Sequence, residues 1–183
     1  MRKVILTCAV TADGLIEGPN GEYDWCRTEE GPSGLVEFLH SVDAVFYGRK
    51  SWELFGIKIP DGIEHPLIKE IWELTFSKKP YVFSNTLKTA ERGAVVIGGD
   101  FAAEVNKIKQ QPGKDIWLYG GASLVTSFIN AGLVDEFRLA VHPIILGPGK
   151  RLFNDIKDRH KLKLIESKPH SSGVVLQRYE LAD

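Results

Sequence analysis

The sequence predicts a three-layer α/β fold, with helices on both faces of a mixed but mostly parallel central sheet and an antiparallel hairpin at its C-terminal end. Three observations predict it. Apolar runs of strand length alternate with segments of helical periodicity, the pattern of a layered α/β protein. Several inner runs are continuously apolar, which suits strands covered on both faces. The last two runs differ, because "KLKLIE" alternates polar with apolar residues and the turn-like "PHSSG" (169–173) separates it from its successor. That is the pattern of a hairpin closing one edge.

Strands are expected over "KVILTCAV" (3–10), "DAVFY" (43–47), "PYVFS" (80–84), "AVVIG" (94–98), "DIWLY" (115–119), "VDEFRLAVH" (134–142), "KLKLIESK" (161–168) and "GVVLQRYEL" (173–181). Helices are expected over "SGLVEFLHS" (33–41), "RKSWELF" (49–55), "HPLIKEIWELTFS" (65–77), "DFAAEVNKIKQ" (100–110) and "ASLVTSFINAG" (122–132). A chain of 183 residues matches one domain with one sizeable core. No repeat, low-complexity tract or long linker divides it.

With 43% hydrophobic, 26% charged and 10% aromatic residues, the composition is that of an ordinary soluble globular protein. A formal net charge of -1 argues against a nucleic-acid partner held by bulk electrostatics. No run approaches the roughly 18 apolar residues that a membrane span requires. The run Val4 to Val10 is short, interrupted by Thr7 and followed by no small-residue cleavage site. It reads as a core strand, and a cytoplasmic location is expected. Cys8 and Cys26 are too few for a disulfide framework and are expected as free thiols. His40, His65, His142, His160 and His170 have no ligand spacing, so no metal is expected. His142, on a strand before Pro143, reads as structural.

In open α/β sheets ligands gather at the carboxyl ends of strands, where helix N-termini present unpaired N–H groups. Three such ends carry residues suited to phosphate. Gly120-Gly121-Ala122-Ser123-Leu124 follows "DIWLY", where glycines let an anion approach the backbone and Ser123 adds a hydroxyl. Gly48-Arg49-Lys50-Ser51 follows "DAVFY" and puts two cations where a helix dipole disfavours them, unless something negative sits nearby. There Arg49 would supply a planar fork and Lys50 a point charge. Ser84-Asn85-Thr86 follows "PYVF". Each stretch alone also reads as an ordinary turn or solvated surface, and their convergence points to a nucleotide with several phosphates. "GPGK" (147–150) lacks the spacing of a phosphate loop and reads as a plain loop.

The block Ile116 to Phe153, "IWLYGGASLVTSFINAGLVDEFRLAVHPIILGPGKRLF", closely resembles the reductase domain of bacterial riboflavin biosynthesis (the RibD C-terminal type), itself related to dihydrofolate reductase. "TADGLIEG" (11–18), "VDAVFYGRKSWE" (42–53) and "YVFSN" (81–85) extend the resemblance over most of the chain. It implies one dihydrofolate-reductase-like domain over 1–183 that binds NADPH across the carboxyl edge. Ala9 and Ile16 would lie by the nicotinamide. Arg49, Lys50 and Asn85 would face the adenosine 2′-phosphate, Gly48, Ser51 and Ser84 would line the groove, and Gly120, Gly121, Ala122, Ser123 and Leu124 would cradle the pyrophosphate.

The implied activity is hydride transfer to a pyrimidine- or pterin-type small molecule, most like the 5-amino-6-(5-phosphoribosylamino)uracil reductase step. The alternatives are dihydrofolate reduction and a non-catalytic NADPH-binding module. The zinc-binding deaminase signature that often accompanies this domain is absent from the sequence. In folate reductases a first-helix carboxylate assists substrate protonation; the matching place falls near Pro32 and Ser33, with Glu29, Glu30 and Glu37 close by. Trp25 resembles the loop tryptophan of folate reductases, so Trp25 and Glu37 are the substrate-side candidates. Asp13 and Glu17 are the loop carboxylates best placed to influence a proton. The substrate pocket would be built from loop 17–35 and helix faces, and a homodimer is implied.

Overall fold

A computed structural model describes residues 1–26 and 34–182. Chain order begins with β1 (Val4–Thr11), β2 (Leu15–Glu17), a 3-10 turn at Asp24–Cys26, α1 (Leu35–Ser41), β3 (Val42–Gly48), α2 (Arg49–Phe55) and α3 (Pro66–Phe76). It continues with β4 (Lys79–Phe83), β5 (Val95–Ile97), α4 (Phe101–Gln110), β6 (Asp115–Gly120) and α5 (Ala122–Asn130). The C-terminal part is β7 (Glu136–His142), β8 (Lys150–Arg151), β9 (Leu162–Pro169) and β10 (Val175–Leu181).

Eight strands form one sheet in the order β5-β4-β3-β6-β1-β7-β10-β9. The first six pair in parallel, and β10 runs antiparallel to both β7 and β9. The sheet is therefore mixed and mostly parallel, with the C-terminal hairpin at one edge as the alternation of its residues predicts. Local signals fix the helix starts. Pro66 opens α3, where its missing N–H costs nothing, and Asp100 caps α4 by accepting from Ala103 N.

The continuously apolar strands are apolar because both faces are covered. On one face Leu6, Phe46, Phe83 and Leu118 pack against Val105 of α4 and Val125 and Phe128 of α5. On the other, Ile5, Val45, Val82 and Trp117 pack against Phe38 and Leu39 of α1 and Trp52 of α2, with Ile71 and Leu74 of α3 behind. Period-two alternation thus sends neighbouring residues of one strand into two different cores. The start of β1 is pinned by Asp135, which accepts from Val4 N at 2.7 Å and pairs with the buried Lys109 at 2.7 Å.

One expectation is corrected. Of the stretch 147–150, read as a loop, Lys150 begins the short strand β8, whose Arg151 and Lys150 pair antiparallel with Leu15 and Glu17 of β2. A Cβ on Gly149 would lie 2.4 Å from the carbonyl oxygen of Glu17, and its φ is 155°, so only glycine lets the two segments close. Cys8, half-buried in β1, is a free thiol. Among the described residues no helix is long and apolar enough to cross a membrane.

Candidate functional site

The strand ends picked out by sequence are neighbours, because β4, β3 and β6 are adjacent and parallel. Gly48 sits in register with Phe83, and Tyr47 with Gly120. The first turns of α2 and α5 therefore start side by side. A Cβ on Gly121 would meet Ser51 Oγ at 3.3 Å, and one on Gly48 would meet the Gly120 carbonyl oxygen at 3.4 Å and Leu124 Cβ at 3.6 Å. The two segments are therefore in close contact, tightest where Gly121 meets the Ser51 hydroxyl. The Gly120-Gly121 peptide is cis.

No side chain among the described residues caps the amino end of α5; Leu124 N donates to the Gly121 carbonyl at 2.9 Å, which leaves the N–H groups of Ala122 and Ser123 for solvent or a ligand. Beside them opens a groove of about 360 Å³ lined by Ala122, Ser123, Thr126, Gly149, Lys150, Arg151 and Asn154. Two cations of β8 thus share a groove with a helix N-terminus, an arrangement suited to anions.

One of the two cations of α2 meets a negative charge on its own helix. Arg49 and Lys50 are exposed, and Arg49 Nη1 donates to Glu53 Oε1 at 2.9 Å one turn along. Lys50 has no ion-pair partner among the described residues. Asn85 accepts from Gly99 N at 2.9 Å and so ties the end of β4 to the end of β5. The hydroxyl of Ser84 accepts from Thr86 N and Leu87 N at 3.2 and 3.0 Å, which closes its own turn.

The loop carboxylates are held. Asp13 accepts from Thr11 Oγ1 at 2.5 Å, from Leu146 N at 3.3 Å and from Gly147 N at 2.8 Å. The Thr11 hydroxyl bond first, then the Gly147 amide, lower its pKa. Such a group clasps the β1–β2 turn to the segment before β8, and its lowered pKa suits it poorly to donating a proton. Glu17 accepts from Lys150 Nζ at 2.8 Å across the β2–β8 pair. Ile16 of β2 packs on the α4–α5 side core, whereas Ala9 of β1 is in register with Ala140 of β7.

The opposite, α1-side face of β1 and β7 carries polar groups as well. His142, in register with Thr11, is 6% exposed and meets the Trp25 ring edge-on at 5.3 Å. Burial lowers the His142 pKa, so the ring is neutral near pH 7. Trp25 Nε1, Thr7 Oγ1 and Arg138 Nε are buried without hydrogen-bond partners among the described residues. Glu37, in the first turn of α1, is exposed. Glu29, Glu30, Pro32 and Ser33 lie outside the described residues. Desolvation pushes the Cys8 thiol up to about 12, so it is no nucleophile. Among the described residues no group of three or more His, Cys, Asp or Glu is placed to hold a metal.

Sequence reasoning missed Lys150, Arg151, Thr7 and Arg138. Arg138 had a signal, since Glu136 and Arg138 put two charges on one face of a strand that pairs on both sides.

Known proteins match both the sequence and the fold. The uncharacterized protein YyaP of Bacillus subtilis is 53% identical over 174 residues, 95% of this chain and 92% of its own length. A diaminohydroxyphosphoribosylaminopyrimidine deaminase/5-amino-6-(5-phosphoribosylamino)uracil reductase of Thermotoga maritima superposes with a TM-score of 0.70 at 15% identity, covering 99% of this chain and 57% of that one. Dihydrofolate reductase from Enterococcus faecalis, complexed with NADP(H), superposes with a TM-score of 0.68 at 14% identity, covering 99% of this chain and 97% of that one. At those identities the two structures establish the shared fold alone. The family model described as the RibD C-terminal domain matches residues 2–176. With that match spanning nearly every strand and helix described above, the chain belongs to the RibD C-terminal domain family, a reductase family with a dihydrofolate-reductase-like fold.

Proposed function

We propose that the chain is an NADPH-dependent reductase of a small pyrimidine- or pterin-type substrate, most like the uracil reductase step carried in the Thermotoga protein's name. The observation that carries the reading is the contact between the Gly120-Gly121 turn and the start of α2. It brings an uncapped helix end, Ser51 and two exposed cations to one edge of the sheet.

The residues fit the cofactor. The turn Gly121, Ala122, Ser123 and Leu124 would cradle the pyrophosphate on the N–H groups that open α5, with the positive charge of Lys150 and Arg151 across the groove. Arg49 and Lys50 would receive the 2′-phosphate, with Gly48, Ser51, Ser84 and Asn85 lining the wall between. Arg49 would exchange its exposed bond to Glu53 for the phosphate, an ion pair worth only about 0.3–0.5 kcal/mol. Ala9 and Ile16 would border the nicotinamide, where a side chain no larger than Ala9 lets a ring lie close to β1.

NADPH supplies a hydride when bound, so the chain needs no nucleophile of its own. Its residues orient the reactants and exclude water. The Asp13 clasp and the β2–β8 pair fix the segment that would cover the reacting centre. Trp25 and His142 would form an aromatic wall for the substrate, with Glu37 at its margin.

NADPH oxidation measured against a panel of ribosylaminopyrimidine phosphates, dihydrofolate and dihydropterins tests the reading. Turnover on a pyrimidine or pterin member is the expected result. Tight NADPH binding with no turnover on any member would leave the non-catalytic cofactor-binding module as the better description.

A homodimer is part of the proposal. Every residue of the edge strand β9 is exposed, and Leu162, Leu164 and Ile165 are 40%, 53% and 43% exposed. An unpaired edge with three large apolar side chains is a surface that a second copy would cover.

A further inference from the structure

Arg138 stands in the middle of β7, and its guanidinium carbon lies 4.9 Å from the centre of the Phe38 ring. The side chain therefore points to the α1 side of the sheet. It is partly buried, and among the described residues no carboxylate lies within ion-pair distance of it. Its Nε is buried with no acceptor among those residues.

Of the three carboxylates that act on it from a distance, Glu37 is exposed on α1 and the other two are committed to its neighbour. Arg178, the cross-strand partner of Arg138 on β10, takes Glu136 at 3.0 Å and Glu166 at 3.2 Å. Arg138 thus lies opposite a second guanidinium, while Glu136, Glu166 and Glu37 act on it only beyond ion-pair distance. Desolvation first, then Arg178, lower its pKa. A desolvated cation with neither an ion pair nor full hydrogen bonding among the described residues is costly, and an anion arriving from solution would relieve that cost.

Its other cross-strand partner is Thr7 of β1, whose Oγ1 is also buried and unpartnered. The Thr7 carbonyl accepts from Trp117 Nε1 at 3.2 Å, which fixes the strand there. Two residues toward the carboxyl edge the paired positions are Ala9 and Ala140, and two further on they are Thr11 and His142. The small alanines keep the sheet surface low between the Arg138–Thr7 pair and the His142–Trp25 ring pair. A third unpartnered donor, Trp25 Nε1, borders the same face.

We propose that Arg138, with Thr7 beside it, is a specificity-determining residue that receives an anionic group of the substrate, a phosphate or carboxylate, on the α1-side face of β1 and β7. The proposal rests on the reductase reading only in calling the ligand a substrate. The guanidinium offers a planar fork and Thr7 a hydroxyl, the donors that such oxygens require.

The test is calorimetric titration of the NADPH-saturated protein with two matched pairs, ribose 5-phosphate against ribose and benzoate against benzamide. The anionic member of at least one pair is expected to bind at least about tenfold tighter than its neutral partner. The pair that shows the preference tells phosphate from carboxylate. Arg138→Met should abolish the preference and leave NADPH affinity unchanged; Arg138→Lys should keep part of it. Equal binding within both pairs, no binding of either anion, or a preference that survives Arg138→Met would overturn the proposal. If Arg138→Met does not fold, the wild-type comparison and the lysine variant decide. If NADPH itself does not bind, the same titrations on the free protein still read Arg138, and only the reductase reading fails.

Discussion

Arg49 Nη1 donates to both carboxylate oxygens of Glu53, at 2.9 and 3.3 Å, within the seven-residue helix α2. The negative charge that balances a cation at this helix start is therefore supplied one turn away by the helix itself. Glu53 also competes with any phosphate for Arg49. Glu53→Gln should tighten NADPH binding about twofold, the worth of an exposed i,i+4 pair, and change stability by under about 0.5 kcal/mol. Titration calorimetry and urea unfolding report the two effects separately.

Gly149 tests the clasp between β2 and β8. A Cβ at 2.4 Å from the Glu17 carbonyl oxygen, on a residue with φ of 155°, cannot be accommodated without moving one segment. Gly149→Ala should destabilise the protein by about 1–3 kcal/mol and show as a lowered urea midpoint. An unchanged midpoint would mean that the two segments are not held together in solution.

His142 gives a pH dependence of known sign. Its folded pKa lies below its ordinary value of 6.5 because burial disfavours the charged ring. The unfolded chain then binds a proton that the folded chain refuses, so stability is full above about pH 6.5 and falls as pH drops toward the folded value. His142→Gln should flatten this limb of a urea-midpoint profile. A limb of the same slope in the variant would assign the effect elsewhere.

Leu164 carries the dimer reading. Leu164→Lys places a charge on the exposed face of edge strand β9 and should shift sedimentation from dimer to monomer without loss of fold. A wild-type protein that sediments as a monomer at all concentrations would dispose of the reading.

Much of the fold was legible because it rests on local patterns. The bounds of α2 coincide with the "RKSWELF" segment, since Gly48 breaks the strand before it and Gly56 stands at its end. The three phosphate-suited strand ends were legible for the same reason, each being a short polar or glycine segment after an apolar run. The β2–β8 pair was not legible. Strands of three and two residues have no periodicity, and Leu15 and Arg151 meet only because β1 and β7 are already adjacent. The role of Asp13 was hidden likewise, since its acceptors' partners, Leu146 N and Gly147 N, are remote in sequence. Arg138 shows a different limit: its charge was visible, but its lack of a partner depends on how Arg178 uses Glu136 and Glu166.

The central claim is that the start of α2 beside the Gly120-Gly121 turn binds a 2′-phosphorylated dinucleotide. The most direct measurement is the dissociation constants of NADPH and NADH for the wild type and for Arg49→Ala. The account predicts tighter binding of NADPH by the wild type, and a loss of about 1.5–3 kcal/mol, roughly 10- to 150-fold, for NADPH alone in the variant. Equal wild-type affinities, or an Arg49→Ala variant that weakens both cofactors alike or neither, would contradict it.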